Sequence, residues 1–78
     1  MPKDVRGRLE ADFGADFSSV RIHTGKDAVQ MAELLRAQAF THGCDIYFNE
    51  GKYAPFSKTG LELLAHELAH VVQQKGKK

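Results

Sequence analysis

Residues 61–74, LELLAHELAHVVQQ, constrain the fold more than any other stretch of the chain. At about 100° per residue, Leu61, Leu64, Ala65, Leu68, Val71 and Val72 fall on one arc of a helix, and His66 and His70 fall near the opposite side. A helix with so wide an apolar stripe must dock on a core. It can do so without burying its histidines, which remain free to bind something.

The spacing of those histidines specifies chemistry. Residues four apart on a helix share a face about one turn, roughly 5–6 Å, apart, so the imidazoles of His66 and His70 can reach one tetrahedral metal. Glu67 projects from the same side, where a carboxylate can take a proton from a metal-bound water. That is the arrangement of the HExxH metallopeptidases, and it makes Glu67 the candidate general base and zinc the expected cofactor. A catalytic zinc site normally has three protein ligands and an open position for water. Spacing and topology leave His23 and His42 as equal candidates for the third ligand, with Asp45, Glu50 and Glu62 as carboxylate alternatives. Tyr47 and Tyr53 are candidate hydrogen-bond donors to a developing oxyanion. Cys44 reads as a small buried residue.

Composition narrows the classes. At 78 residues the chain makes one small domain, expected over residues 1–74 with a polar tail at 75–78, and its core is modest enough for a bound metal to help hold it. Eleven Lys plus Arg against ten Asp plus Glu give a net charge of +1, with three of the lysines in the last four residues. No basic field covers the body, which argues against nucleic-acid binding. A single cysteine rules out an internal disulfide. The opening lacks the apolar run of a secretory signal, and no stretch approaches the ~20 apolar residues of a membrane span, so synthesis in the cytoplasm is expected.

Read in order, residues 4–13 carry Val5, Leu9 and Phe13 at four-residue steps and end at Gly14, which predicts a short helix. Phe17 to His23 alternates as a strand, with Val20 and Ile22 on one side and Arg21 and His23 on the other. Thr24 and Asp27 have capping-box spacing, and a second helix is predicted from about Lys26 to Phe40 with Gly43 as its stop. Asp45 to Phe48 predicts a second strand, Asn49 to Pro55 a surface loop, and the last helix is expected from Ser57 or Thr59 to Gln74, with Thr59 and Glu62 as a further capping box. The class is α+β, with about three helices and a short two-stranded sheet.

Three blocks, LEADFGADFSSVRIHTG, AFTHGCDIYFNEGKY and GLELLAHELAHVVQQ, taken in that order resemble the zincin-like eCIS core domain of bacterial proteins linked to extracellular contractile injection systems and polymorphic toxins. The resemblance runs from about Val5 to Gln74. It implies a minimal zincin-like fold with HExxH on the last helix, in a module often joined to other effector or toxin domains. The family's helix motif falls on His66, Glu67 and His70, with Gln73 and Gln74 as its closing pair. Its Val-Arg-x-His-Thr block falls on Val20, Arg21, His23 and Thr24, which favours His23 over His42 as third ligand. Ala69 stands where threonine is common.

The function expected from residues and resemblance together is a zinc-dependent metallopeptidase module in which His66, His70 and His23 hold the metal and Glu67 acts on its water. The substrate would be a polypeptide or the downstream domains of the parent protein, with self-processing included. The alternative is a non-catalytic module that keeps the fold as a loading or sorting tag, with injection-particle components as partners. Either way the protein would be made in the bacterial cytoplasm and secreted as injection-system cargo.

Overall fold

The computed structural model describes residues 1–76. It contains α1 (Lys3–Phe13), β1 (Arg21–His23), α2 (Lys26–Leu34), β2 (Ala39–His42), β3 (Asp45–Phe48) and α3 (Lys58–Gly76), an α+β arrangement of three helices and one sheet. The strand order is β1-β3-β2, with β1 parallel and β2 antiparallel to β3. The two strands read from the sequence are β1 and β3, and they are parallel. The sheet has three strands rather than two because β2 takes in the last residues of the predicted second helix and the turn predicted after it.

α1 begins after Pro2, carries Asp4 in its first turn where the helix dipole favours a negative charge, and ends at Gly14 in the left-handed region, φ 63°. The Gly14 and Ala15 N–H groups both return to the Glu10 carbonyl. The Glu10 carboxylate reaches further along the chain and accepts the Phe17 N–H at 2.7 Å. This bond helps set Phe17, 1% exposed, into the core beside Phe13, with ring centroids 5.7 Å apart in an edge-on pair. Phe17 to Val20 is therefore a turn, closed by the Val20 N–H on the Phe17 carbonyl, and the strand starts only at Arg21.

α2 starts from Gly25 with no side-chain cap, so the Thr24–Asp27 capping box does not form. It stops at Leu34, well short of Phe40. Ala37 N–H bonds the Ala32 carbonyl and Arg36 N–H the Glu33 carbonyl, the two bonds of a Schellman ending. The left-handed position of that motif, usually glycine, is held by Arg36 at φ 54°. Gly43, φ 63°, does not end a helix but takes the first place of the two-residue turn Gly43-Cys44 that joins β2 to β3, where positive φ is required.

Along the sheet, Ile22, Ile46 and Thr41 pair across the three strands in one row, and His23, Tyr47 and Phe40 in the next. Neighbouring rows face opposite sides. Ile46 and Phe48 point to the side where Leu9, Phe17, Leu64, Leu68 and Val71 complete the core, so α1 and α3 cover that face. α2 packs on β3 from the other side, where the small buried Ala28 and Ala32 permit a close approach.

α3 is fixed at its start by two local devices. Ser57 Oγ accepts the Gly60 N–H at 3.0 Å, so Ser57 and not Thr59 supplies the cap. Gly60 itself is buried against Ala54, and a Cβ there would overlap the Ala54 carbonyl group. No described helix is long and apolar enough to cross a membrane.

Candidate metal centre

Leu64, Leu68 and Val71, all fully buried, orient α3 and turn His66 and His70 outward to solvent. The two imidazoles meet edge to face, with centroids 4.9 Å apart and an interplanar angle of 89°. Glu67 lies about 40° around the helix from Val71, at the border of the apolar arc. It is 5% exposed, the single charged side chain that the fold buries among the described residues.

Its burial is compensated from β2. Thr41 points to the α3 face of the sheet, and its Oγ1 donates to Glu67 Oε1 at 2.7 Å. The Glu67 carbonyl lies 3.3 Å from the same oxygen. A hydroxyl has one proton, and the shorter contact to the carboxylate takes it. Thr41 is the cleft residue that the sequence reading missed, because the second helix was carried to about Phe40 and the residues up to its Gly43 stop were read as a turn. The available signal was the Gly43-Cys44 turn flanked by two short runs, which is a hairpin pattern.

One donor atom each from His66, Glu67 and His70 lie within 4.8 Å of one another. Around a tetrahedral zinc with bonds near 2.0–2.2 Å, ligand atoms sit about 3.4 Å apart. The three atoms are somewhat wider apart than that, and nitrogen and carboxylate donors are of the kind zinc takes. These residues line a cleft of about 460 Å³ together with Ala39, Phe40, Thr41, Gln73 and Gln74. One wall is α3 and the other is β2, an edge strand. The Asn49 N–H bonds the Gln38 carbonyl, and with the two-residue turn at the other end this sets the pairing: Gln38, Phe40 and His42 direct their backbone groups to β3. Ala39 and Thr41 direct theirs outward, to the free edge.

The structure does not bring the other candidates to this cleft. His23, expected as third ligand, lies in the row facing away from α3; its Nε2 is 2.8 Å from Asp45 Oδ1 and its ring stacks on Tyr47. Asp45 is thereby engaged by His23. Tyr47 is sandwiched between His23 and Phe40. Tyr53 packs on Phe48, and burial raises its phenol above the usual 10.0. His42 is exposed at the end of the β2–β3 hairpin, Glu50 is exposed in the following loop, and Glu62 lines a groove between α1 and α3 with Asp4 and Asp12. Cys44 is half-buried in the hairpin turn, with Ser19 Oγ 3.8 Å from its sulfur.

The eCIS core domain matches the chain over residues 1–78. The chain belongs to the eCIS core domain family. Membership in that family suggests association with contractile injection systems and their proteins. No curated protein and no solved structure matches the chain. In this eCIS core domain the helix motif is therefore placed against the edge of a sheet, with the motif's glutamate tied to that edge by Thr41.

Proposed function

We propose that this eCIS core domain is a zinc-dependent peptidase module of an injection-system-associated protein, made in the bacterial cytoplasm and carried as cargo. The observation that carries the reading is the convergence of His66, Glu67 and His70 within 4.8 Å beside a free strand edge. Zinc held there would supply a polarised carbonyl and an acidified water. His66 and His70 offer the imidazole donors. Glu67 takes the water's proton and passes it to the leaving amine, and the Thr41 hydroxyl fixes one carboxylate oxygen so that the other faces the cleft. The outward N–H and C=O groups of Ala39 and Thr41 suit an extended peptide added to β2, which makes a polypeptide the substrate class, the parent chain's own segments included.

A second reading follows from Glu67 being part of the same donor cluster. With His23 held by Asp45, Glu67 can serve as the third zinc donor, and the domain is then a non-catalytic loading or sorting module with a structural metal. One experiment separates the roles. In the peptidase reading Glu67→Gln retains about one zinc per chain and loses cleavage of an unfolded protein substrate. In the module reading the same variant loses zinc. A wild-type domain that takes up no zinc in a competition titration refutes the peptidase reading and the structural-metal form of the module, and leaves a metal-free loading or sorting module standing.

A further inference from the structure

The sheet carries a ladder of rings that stops at its open edge. His23 lies opposite Tyr47 and Tyr47 opposite Phe40. The rings stack at 4.5 Å with an interplanar angle of 14°, then at 4.7 Å with 11°. Both spacings are close to the roughly 4.7–4.9 Å between neighbouring strands, so the rings repeat with the sheet. The far end of the ladder is fixed by His23 on Asp45. The near end is Phe40, which is half-buried and lines the cleft of His66 and His70. Among the described residues no ring covers the side of Phe40 away from Tyr47. Because its plane is nearly parallel to that of Tyr47, this side of the ring looks in the direction in which a next strand would add.

We propose that Phe40 is a specificity-determining residue that selects, in an extended peptide docked on β2, an aromatic side chain at the position directly opposite. The inference rests on the peptide-docking role of the β2 edge in the peptidase reading. An antiparallel strand hydrogen-bonded to Ala39 and Thr41 places its residue opposite Phe40 in a non-hydrogen-bonded pair, the pair whose side chains lie closest. That residue's side chain falls on the Phe40 side of the sheet, while its two neighbours face α3 and the histidines. The aromatic residue thus sits next in sequence to the residues presented to the candidate metal centre, and sets which peptide bond lies there.

The test uses decapeptides of alternating Thr and Ser with a single Phe moved through the inner positions, titrated into the domain without added zinc and followed by amide NMR. The expected result is that the Ala39 and Thr41 amides shift, and that one Phe position binds roughly two- to tenfold tighter than the Phe-free peptide. Ring-current shifts of the Phe40 ring protons in the wild-type domain report the stack directly, and Phe40→Leu erases the preference while the edge amides still move. Edge binding with no preferred Phe position, or a preference without Phe40 ring shifts, overturns the proposal and leaves the docking edge standing. Peptides that leave the Ala39 and Thr41 amides unmoved overturn both.

Discussion

Replacing Thr41 with valine keeps the shape of the side chain and removes the proton donor from a buried carboxylate. Glu67 is 5% exposed and Thr41 Oγ1 lies 2.7 Å from its Oε1, the short distance of a charge-assisted bond. Leaving such an acceptor unsatisfied costs about 1.5–3 kcal/mol. For a domain of this size a loss of about 2 kcal/mol lowers Tm by roughly 8–16 °C, and it is a large fraction of a stability expected near 4–12 kcal/mol. Urea titration at pH 7 measures it, followed by circular dichroism because the chain has no tryptophan. The decisive control is the background. In Glu67→Leu, which puts an apolar group where the carboxylate was, Thr41→Val should cost less than about 0.5 kcal/mol, because the partner is already gone. Equal losses in both backgrounds would show that the hydroxyl acts through something other than Glu67, and the α3–β2 joint would then not depend on this bond.

The remaining expectations concern the frame around the cleft. Gly60→Ala drives a methyl into the Ala54 carbonyl, and should destabilise by about 2–3 kcal/mol or abolish the folded circular-dichroism signal at 37 °C; a variant within about 0.5 kcal/mol of the parent in urea refutes the close packing. Arg36→Gly relieves a left-handed non-glycine residue at the end of α2 and should stabilise by about 0.5–1 kcal/mol, read as a higher urea midpoint at unchanged slope. Burial raises the Tyr53 phenol above 10.0 in the folded state, so the unfolded chain loses its proton first as pH rises. Stability is unaffected below that value and falls as pH climbs through and beyond about 10, and Tyr53→Phe should flatten that part of a urea-midpoint profile.

What the sequence made legible follows from where its signals are periodic. α3 could be read because its apolar arc is long, and α1 because Val5, Leu9 and Phe13 repeat up to a glycine that does take the left-handed position. The end of α2 was hidden because Arg36, not glycine, occupies that position, and because Ala37, Gln38 and Ala39 favour a helix until pairing with β3 overrides them. Losing that strand meant losing Thr41. The strand before His23 was overdrawn for a related reason: Phe17 alternates correctly with its neighbours, but the Glu10 carboxylate captures its N–H from seven residues away and turns the chain. Neither bond leaves a periodic trace. The position of His23 was out of reach in the same way, since its partner Asp45 is brought to it by the parallel register of β1 and β3.

Glu67 is the residue where fold and chemistry cannot be separated, and this distinguishes it from its flanking histidines. His66 and His70 are exposed and add nothing that packing needs, so a metal can recruit them without disturbing α3. Glu67 lies about 40° from Val71 on the same helix, close enough to the core to be desolvated, and a desolvated carboxylate persists only with a donor. Thr41 is that donor, and it stands on the strand that forms the opposite wall of the cleft. The bond that makes a buried Glu67 tolerable is therefore also the bond that sets how far the edge of β2 lies from the two imidazoles. A shift of β2 that widened the cleft would strand the carboxylate, so the spacing between the β2 edge and the candidate metal centre is held by the energy of the fold itself.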